Sequence, residues 1–584
     1  MTDYQQNPEA FYESKPWLKE YGPGVETELK PLPDRSMAEL LRRSADKYAN
    51  NTAFTICLDN GMAASLTYHE VQDHSDAFAA YLREEAGLDK GDRVAVQMPN
   101  CLSYPVSAFG VLKAGCVLVN VNPLYTATEM NHQLKDSGAK VLVIIDMFAD
   151  KLPKALDGTQ VEKVVLVGIN EFFPPFKRAL LGFVLKKIRK QIPDCPMAAT
   201  RLKDALGAGR RHVDRFRQNP PDIGPEDTAA LQYTGGTTGV AKGAQLTHGN
   251  LLSNLAQSFA TAGPVMHEGE ETVLTALPLY HIFAFTFNLM VFFADGDHNV
   301  LCPSPRPPSN LRKAFEQYRI TKFSGVNVLF AGLLQEPWFQ ENPPKSIDLS
   351  VAGGTALHKS VAQQWEKLVG SKIAEGYGLS ETSPVVTINP SQGEIRLGTI
   401  GVPAPGTDVR IVDENGSILP PGQPGELQVK GPQVMQGYWN RPDETEKVLK
   451  DGWFSTGDMA TIDERGYVSI VDRKKDMIDV SGFNVYPNEV EEALGGHPKI
   501  AEVAVIGMPQ PQGGETVRAY VVRTEESLTK EDIISYAREY LTAYKVPKEI
   551  IFRDELPKTP VGKILRKDLR KEAEAEQNDQ KTGT

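Results

Sequence analysis

Cysteine is scarce. The 584-residue sequence holds five, Cys57, Cys101, Cys116, Cys195 and Cys302, far apart, with no CxxC pair and no adjoining histidine cluster. Neither a disulfide framework nor a zinc site is expected, and a reducing compartment fits. Excess positive charge is also lacking: the formal net charge of −12 argues against nucleic acid as a partner, because that role places a basic footprint over a whole domain. The opening residues, "MTDYQQNPEAFYESKPW", have neither the basic start nor the apolar core of a signal peptide, so a cytoplasmic protein is expected. One charge-free stretch, Thr272–Ala294, has the length of a membrane span. It contains Pro278, His281 and Asn288 and lacks basic flanks, so it reads as a buried strand, loop and helix.

What is present describes a soluble globular chain, with 41% hydrophobic and 24% charged residues over a length that calls for several domains. From Asp92, apolar strand patterns ("DRVAVQMPN", "VLVNVNP", "KVLVIID") alternate with helical ones, which predicts a parallel sheet with crossover helices. A second α/β stretch carries "LSVAGG" and "KIAEGYG" around the helical "LHKSVAQQWEKLV". After Gly401, alternating strands and Pro/Gly-rich turns predict a smaller β-barrel-like unit at about residues 400–470. The expected fold class is α/β: a large N-terminal domain over 1–474, a small α+β domain over 475–570, and a polar, disordered tail over 571–584.

The segment "YTGGTTGVAKG", Tyr233 to Gly243, joins a strand pattern to a helix pattern with four glycines, three threonines and one lysine. Glycine lets backbone amides close on a ligand, and hydroxyls and an ammonium complete a phosphate cradle. It is not a Walker A loop: counted from Gly236, Ala241 precedes Lys242 and Gly243 follows it, so the magnesium-binding hydroxyl is missing.

Read in order, "YTGGTTGVAKGA", "LPLYHIFAF", "EGYGLSET", "DGWFSTGD", "DRKKDMIDVSGFNVYP" and "PKTPVGKILRK" resemble the adenylate-forming enzymes, which include acyl-CoA synthetases, luciferase-like enzymes and nonribosomal adenylation domains. The wording of three of these segments is most similar to bacterial long-chain fatty-acid CoA ligases. The resemblance implies that a carboxylate attacks the α-phosphate of ATP, that pyrophosphate leaves, and that the thiol of CoA then cleaves the acyl-adenylate. Both nucleophiles come from substrates, and no GxSxG elbow or Cys/His pair stands out.

The same resemblance distributes the site residues. Tyr233, Thr234, Gly235, Gly236, Thr237, Thr238, Gly239, Lys242 and Gly243 would hold the β- and γ-phosphates. Gly353 and Gly354 would lie against adenine, with Glu375, Gly376, Tyr377 and Gly378 beside them and Tyr377 stacked on the base. Ser380 and Thr382 would reach phosphates, and Glu381 would ligate Mg²⁺, a hard cation that takes few protein ligands. Asp458 and Arg473 would bind the ribose and phosphate. Lys563 would be catalytic, steadying the attacking carboxylate and the α-phosphate; Lys558, Arg566 and Lys567 read as solvated charges. Because Lys563 lies in the small domain, that domain would be mobile, closing for adenylation and rotating about Lys475 so that Gly482 lines the CoA path.

His281 matches a position near the substrate carboxylate, and Phe285, Gly325 and Val326 are candidates for the wall of an acyl tunnel; Phe285 stands where long-chain relatives best known for a gating residue carry Trp. The basic segment Pro174 to Lys190, "PPFKRALLGFVLKKIRK", has six basic and no acidic residues, and Leu181, Val184 and Ile188 share one helical face. It reads either as a helix on an anionic membrane surface, which would place the protein peripherally on the cytoplasmic face, or as a helix capping the core. The expected partners are ATP, CoA and a long-chain fatty acid, and a homodimer is admissible. Two other functions stay open: a fatty acyl-AMP ligase serving a separate carrier protein, since 21 residues after Lys563 leave no room for a fused one, and a non-catalytic fatty-acid-binding or uptake protein.

Overall fold

The computed structural model describes residues 4–234, 241–480, 483–510, 514–559 and 563–582. The alternating pattern from Asp92 becomes a parallel array in which Arg93–Gln97 lies between Val117–Asn120 and Val141–Ile145. Val117–Asn120 also pairs with Thr228–Thr234, the strand that leads into the Gly/Thr loop. The chain returns from that loop along Lys242–Thr247, antiparallel to its partner. Crossover helices begin and end on local signals. Thr126 and Glu129 form a capping box before Ala127–Ser137, and Gly138 closes that helix at φ 61°.

A second sheet carries the parallel strands Thr272–Thr275, Lys322–Gly325, Leu349–Ala352 and Ile373–Gly378 side by side. Thr272–Ala294 is a buried strand, loop and helix: the strand gives way to a turn and then to Ala284–Val291, a stretch of π-helix with all eight residues buried. Asn288 is satisfied there, accepting from Ser324 Oγ (2.8 Å) and donating to Thr275 Oγ1 (3.2 Å), which ties this helix to the sheet. Among the described residues no helix is long and apolar enough to cross a membrane.

The β-rich part consists of five antiparallel strands, among them Asp408–Val412, Gly425–Lys430, Trp453–Ile462 and Val468–Arg473, and its pairing closes no ring among the described residues. The apolar core changes after Arg473: from Ile478 onward, residues such as Val490, Val505, Val517 and Ile533 pack in a cluster of their own.

Residues 571–582, read from composition as a disordered tail, continue the helix Arg566–Thr582. One buried residue of that span, Ala573, and Leu569 just before it anchor the helix. Leu569 and Ala573 are fully buried against Ala504, Ile506 and Tyr520, and Arg553 pairs with Glu572 (2.6 Å) on the same helix.

Candidate active site

A cavity of about 260 Å³ opens between the second sheet and the small domain. Tyr377, Ser380, Gly353, Gly354 and Lys563 line one part of it, and His281, Phe283, Phe287 and Val326 line another. Strand direction orders these groups. Gly353 and Gly354 follow the C-terminal end of Leu349–Ala352, whereas Leu349 and Val351, also in the lining, lie back along it. The cavity therefore descends from a polar mouth at the strand ends to an apolar floor. The floor adjoins Ser258, Thr261 and Ala262 on the helix His248–Ala262, which a Thr247/Asn250 capping box starts.

Antiparallel register assembles the mouth. Asp458 faces Arg473 directly across two strands, with Asp458 Oδ1 3.5 Å from Arg473 Nε. The Tyr377 hydroxyl donates to Asp458 Oδ2 at 2.6 Å. Asp458 is 5% exposed, so a carboxylate, a guanidinium and a phenol converge in a site of low dielectric, where their fields are strong. Lys563 points into the same space from the small domain. Burial first, and then the Arg473 guanidinium, pull its pKa down to about 7. An anionic ligand arriving beside it favours the ammonium form.

His281 supplies an unsatisfied group. Its Nε2 is buried without a hydrogen-bond partner while the residue lines the cavity, and burial lowers its pKa to about 4. A neutral imidazole facing an apolar chamber can orient a polar head group without adding charge.

Glu381 sits in the short helical turn Ser380–Thr382 and is 7% exposed; burial raises its pKa, opposed by a hydrogen bond from Tyr438. The Tyr438 hydroxyl donates to Glu381 Oε1 at 2.7 Å. Ser383, the next residue but one, is held at φ 73°, a conformation that costs a non-glycine residue on the order of 1 kcal/mol, with its hydroxyl anchored on the Gln433 carbonyl (2.9 Å). A single anchored carboxylate of this kind fits Mg²⁺, which takes few protein ligands and completes its shell with water and phosphate oxygens. The three-residue cluster His267, Glu271 and Asp348 is an ion-pair network instead: Lys322 sits among its carboxylates, with Nζ 3.0 Å from Glu271 Oε1.

The structure redistributes several expected roles. Tyr233 is turned away from the cavity, its hydroxyl donating to Asp136 Oδ2 (2.7 Å), and its ring explains Gly243, where a Cβ would stand 3.1 Å from that ring. Thr382 is fully buried and its Oγ1 is engaged by Leu379 N (3.0 Å) and the Pro384 carbonyl, so it shapes the turn rather than facing a phosphate. Glu375 is outside the lining: its Oε1 accepts from Leu357 N (2.9 Å), and burial pushes it up to about 8. Phe285 and Gly325 do not line the cavity either. Phe285 is fully buried on the core side of the π-helix, while its neighbours Phe283 and Phe287 face the chamber. A Cβ at Gly353 would press on the Phe283 ring at 3.1 Å, and Gly378 is required because a Cβ there would meet the Pro384 carbonyl.

Gly376, Gly378 and Val326 line the cavity as expected for their motifs, and Thr234 Oγ1 reaches only the Lys242 carbonyl, at 3.5 Å. Lys475 follows Val468–Arg473, the last strand of the β-rich part, with a pKa lowered by burial. Gly235, Gly236, Thr237, Thr238, Gly239 and Gly482 lie outside the described residues. The sequence reading missed the floor residues Ser258, Thr261 and Ala262, although their spacing on one helical face was visible, and it missed Tyr438 altogether.

Arg566 is not a solvated charge. Its guanidinium reaches Glu491 (2.7 Å), Asp472 (3.3 Å) and Asp476 (3.5 Å), and Asp472 is fully buried.

The AMP-binding enzyme family model matches residues 41–439, and the model of the AMP-binding enzyme C-terminal domain matches 489–563. A long-chain-fatty-acid–CoA ligase of Escherichia coli O6:H1 is 48% identical over 96% of this chain and 98% of its own length. Among solved structures, ATP-bound MatB from Rhodopseudomonas palustris superposes with a TM-score of 0.79 at 29% identity, covering 91% of this chain and 98% of that one. The o-succinylbenzoate CoA synthetase of Bacillus subtilis in complex with its acyl-adenylate intermediate gives 0.73 at 25% identity, covering 91% and 97%.

Proposed function

The chain belongs to the AMP-binding enzyme family, and from that premise we propose that it is a long-chain-fatty-acid–CoA ligase, forming acyl-CoA, AMP and diphosphate from ATP, a long-chain fatty acid and CoA. The observation that carries this reading is one cavity lined by a lysine of the small domain, by Tyr377, which is bonded to the Asp458–Arg473 pair, and by an apolar chamber. Tyr377, Asp458 and Arg473 hold the adenosine end, and Asp458 exchanges its bond from Tyr377 for ribose hydroxyls. His281 orients the fatty carboxylate at the chamber mouth, while Phe283, Phe287 and Val326 exclude water from its tail. Lys563 carries a proton at Nζ and stabilises the charge that builds as two anions meet. Lys242 and the Gly/Thr loop draw charge toward the leaving diphosphate. Glu381 holds Mg²⁺, which supplies charge neutralisation on the phosphates when bound.

Each buried CH₂ contributes only ~0.8 kcal/mol, so neighbouring chain lengths are separated weakly and the chamber's depth sets the cutoff. The test is turnover with acids from acetate to oleate. We expect AMP release that needs both ATP and CoA and peaks with long chains. CoA-independent accumulation of acyl-AMP points to a carrier-loading ligase, and absence of diphosphate release on mixing ATP with oleate removes the enzymatic reading.

We further infer peripheral contact with anionic membrane through residues 174–190. Leu181 and Leu185 seat the helix Pro175–Phe183 and its π-helical continuation on the protein, so the buried face differs from the one the spacing suggested. The outward side carries Phe176 (80% exposed), Phe183 and Ile188 (65%) among Lys177, Lys187, Arg189 and Lys190. Aromatic anchors within a basic field suit a lipid interface, with each basic residue adding ~1 kcal/mol near anionic lipid. Flotation with phosphatidylglycerol vesicles at low salt is expected to recover the protein, and Phe176→Ser with Phe183→Ser to leave it at the bottom of the gradient. Equal flotation of both forms overturns this assignment.

A further inference from the structure

Lys242 and Glu381, the phosphate-loop cation and the metal-binding carboxylate of the reading above, both touch one side chain. Tyr438 belongs to the two-residue strand Gly437–Tyr438, which pairs with Lys242–Thr247 so that Tyr438 stands opposite Ala244. This register brings its ring beneath Lys242, with Nζ 5.0 Å from the ring centroid, while the hydroxyl donates to Glu381 Oε1 at 2.7 Å. The surrounding backbone is pinned at Glu381 and at the residue after Lys242: Met435 N donates to the Glu381 carbonyl and Trp439 N to the Gly243 carbonyl, each at 2.8 Å. The helix Pro442–Val448 completes the arrangement. Thr445 Oγ1 accepts from Tyr438 N (2.9 Å), and Glu444 lies between Lys242 and Lys447, paired with both.

We propose that Tyr438 is a positioning residue that couples the two groups: its hydroxyl fixes the orientation of the Glu381 carboxylate toward the metal, and its ring supports the Lys242 ammonium at the exit of the phosphate loop. The terminal torsion of a glutamate is broad and roughly two-fold, and among the described residues the Tyr438 hydroxyl is the side chain that selects one orientation for the buried Glu381 carboxylate. A cation over a tyrosine face is attracted by the ring, and Glu444 holds the ammonium over it. Lys447 leaves Glu444 paired if Lys242 moves onto a phosphate, so the exchange strands no carboxylate. This inference rests on the ATP-using reading of the site.

The two contacts separate by substitution. Tyr438→Phe removes the hydroxyl and keeps the ring; Tyr438→Leu removes both. ATP affinity is measured by calorimetry with Mg²⁺ and with EDTA. The gain in affinity that Mg²⁺ confers is expected to fall about 10- to 100-fold in Tyr438→Phe, the usual effect of losing a partner that orients a metal ligand, with metal-free affinity unchanged. Tyr438→Leu is expected to weaken metal-free binding as well. In a Glu381→Gln background, Tyr438→Phe is expected to change the Mg²⁺ gain no further. A Tyr438→Phe protein that keeps the full Mg²⁺ gain, or a loss additive with that of Glu381→Gln, overturns the proposal and leaves Tyr438 a space-filling residue. A parent protein that binds no ATP under either condition removes the adenylation reading itself, and this coupling with it.

Discussion

Replacing Lys563 with alanine is expected to slow acyl-adenylate formation by ~10² to 10³, the usual cost of deleting one preorganised group that stabilises transition-state charge. Consumption of preformed acyl-AMP by CoA should stay near the parent rate. The asymmetry follows from where the lysine stands. In the arrangement described here its side chain lines the cavity with Tyr377 and His281, where the carboxylate and the α-phosphate must meet. Once the acyl-adenylate exists, that repulsion is past and the thiol step gains nothing from this charge. Single-turnover diphosphate release and CoA-dependent AMP release measure the halves separately, and an equal loss in both would sink the assignment.

Arg566→Ala is expected to destabilise the small domain by about 3–5 kcal/mol, the cost of removing one partner from a buried ion cluster. Arg566 is the shared counter-ion of Asp472, Asp476 and Glu491, and Asp472 closes the β-rich subdomain while Glu491 belongs to the small domain's first helix, Pro487–Gly495. Arg570 reaches only Asp476 (2.9 Å), so it cannot replace the lost guanidinium at the other two carboxylates. Denaturant unfolding followed by a probe in the small domain gives the number. A change under 1 kcal/mol would mean that the cluster is solvated and screened, as exposed pairs are. Arg566→Lys should recover part of the loss, because one ammonium cannot serve three carboxylates with a guanidinium's fork.

Much of the fold could be read from the sequence wherever one physical signal dominates. Apolar strand runs such as "VLVNVNP" have a single favourable environment between crossover helices, and the charge-free run from Thr272 found its apolar surroundings in the core. The site was legible where a motif fixes backbone geometry, as with Asp458 opposite Arg473. It was illegible where the deciding partner is distant in sequence. Tyr233 resembles a phosphate-loop residue until Asp136 takes its hydroxyl, and Arg566 resembles a surface charge until three carboxylates from other elements surround it. Phe285 failed for a different reason: it was placed by resemblance, and Phe283 and Phe287, four residues apart on one face, turn toward the cavity while Phe285, between them, turns into the core. The tail reads as disordered because 571–582 is polar overall, while Ala573, with Leu569 just before the span, packs against the small domain.

The cavity's walls and its mouth come from different stretches of chain. Ser258, Thr261 and Ala262 of one helix, with Phe283 and Phe287 of another, shape the apolar chamber, whereas Tyr377 and Lys563 gather at the mouth, with Asp458 behind Tyr377. Substitutions at Ser258, Thr261 and Ala262 can therefore re-cut the acid's side of the chamber without touching Tyr377 or Lys563, whereas Asn254 on the same helix is tied to Val385. For descent with modification this is a permissive layout: a lineage can drift from one carboxylic acid to another through single viable steps, because no step toward a new substrate has to pass through a protein that has lost its chemistry.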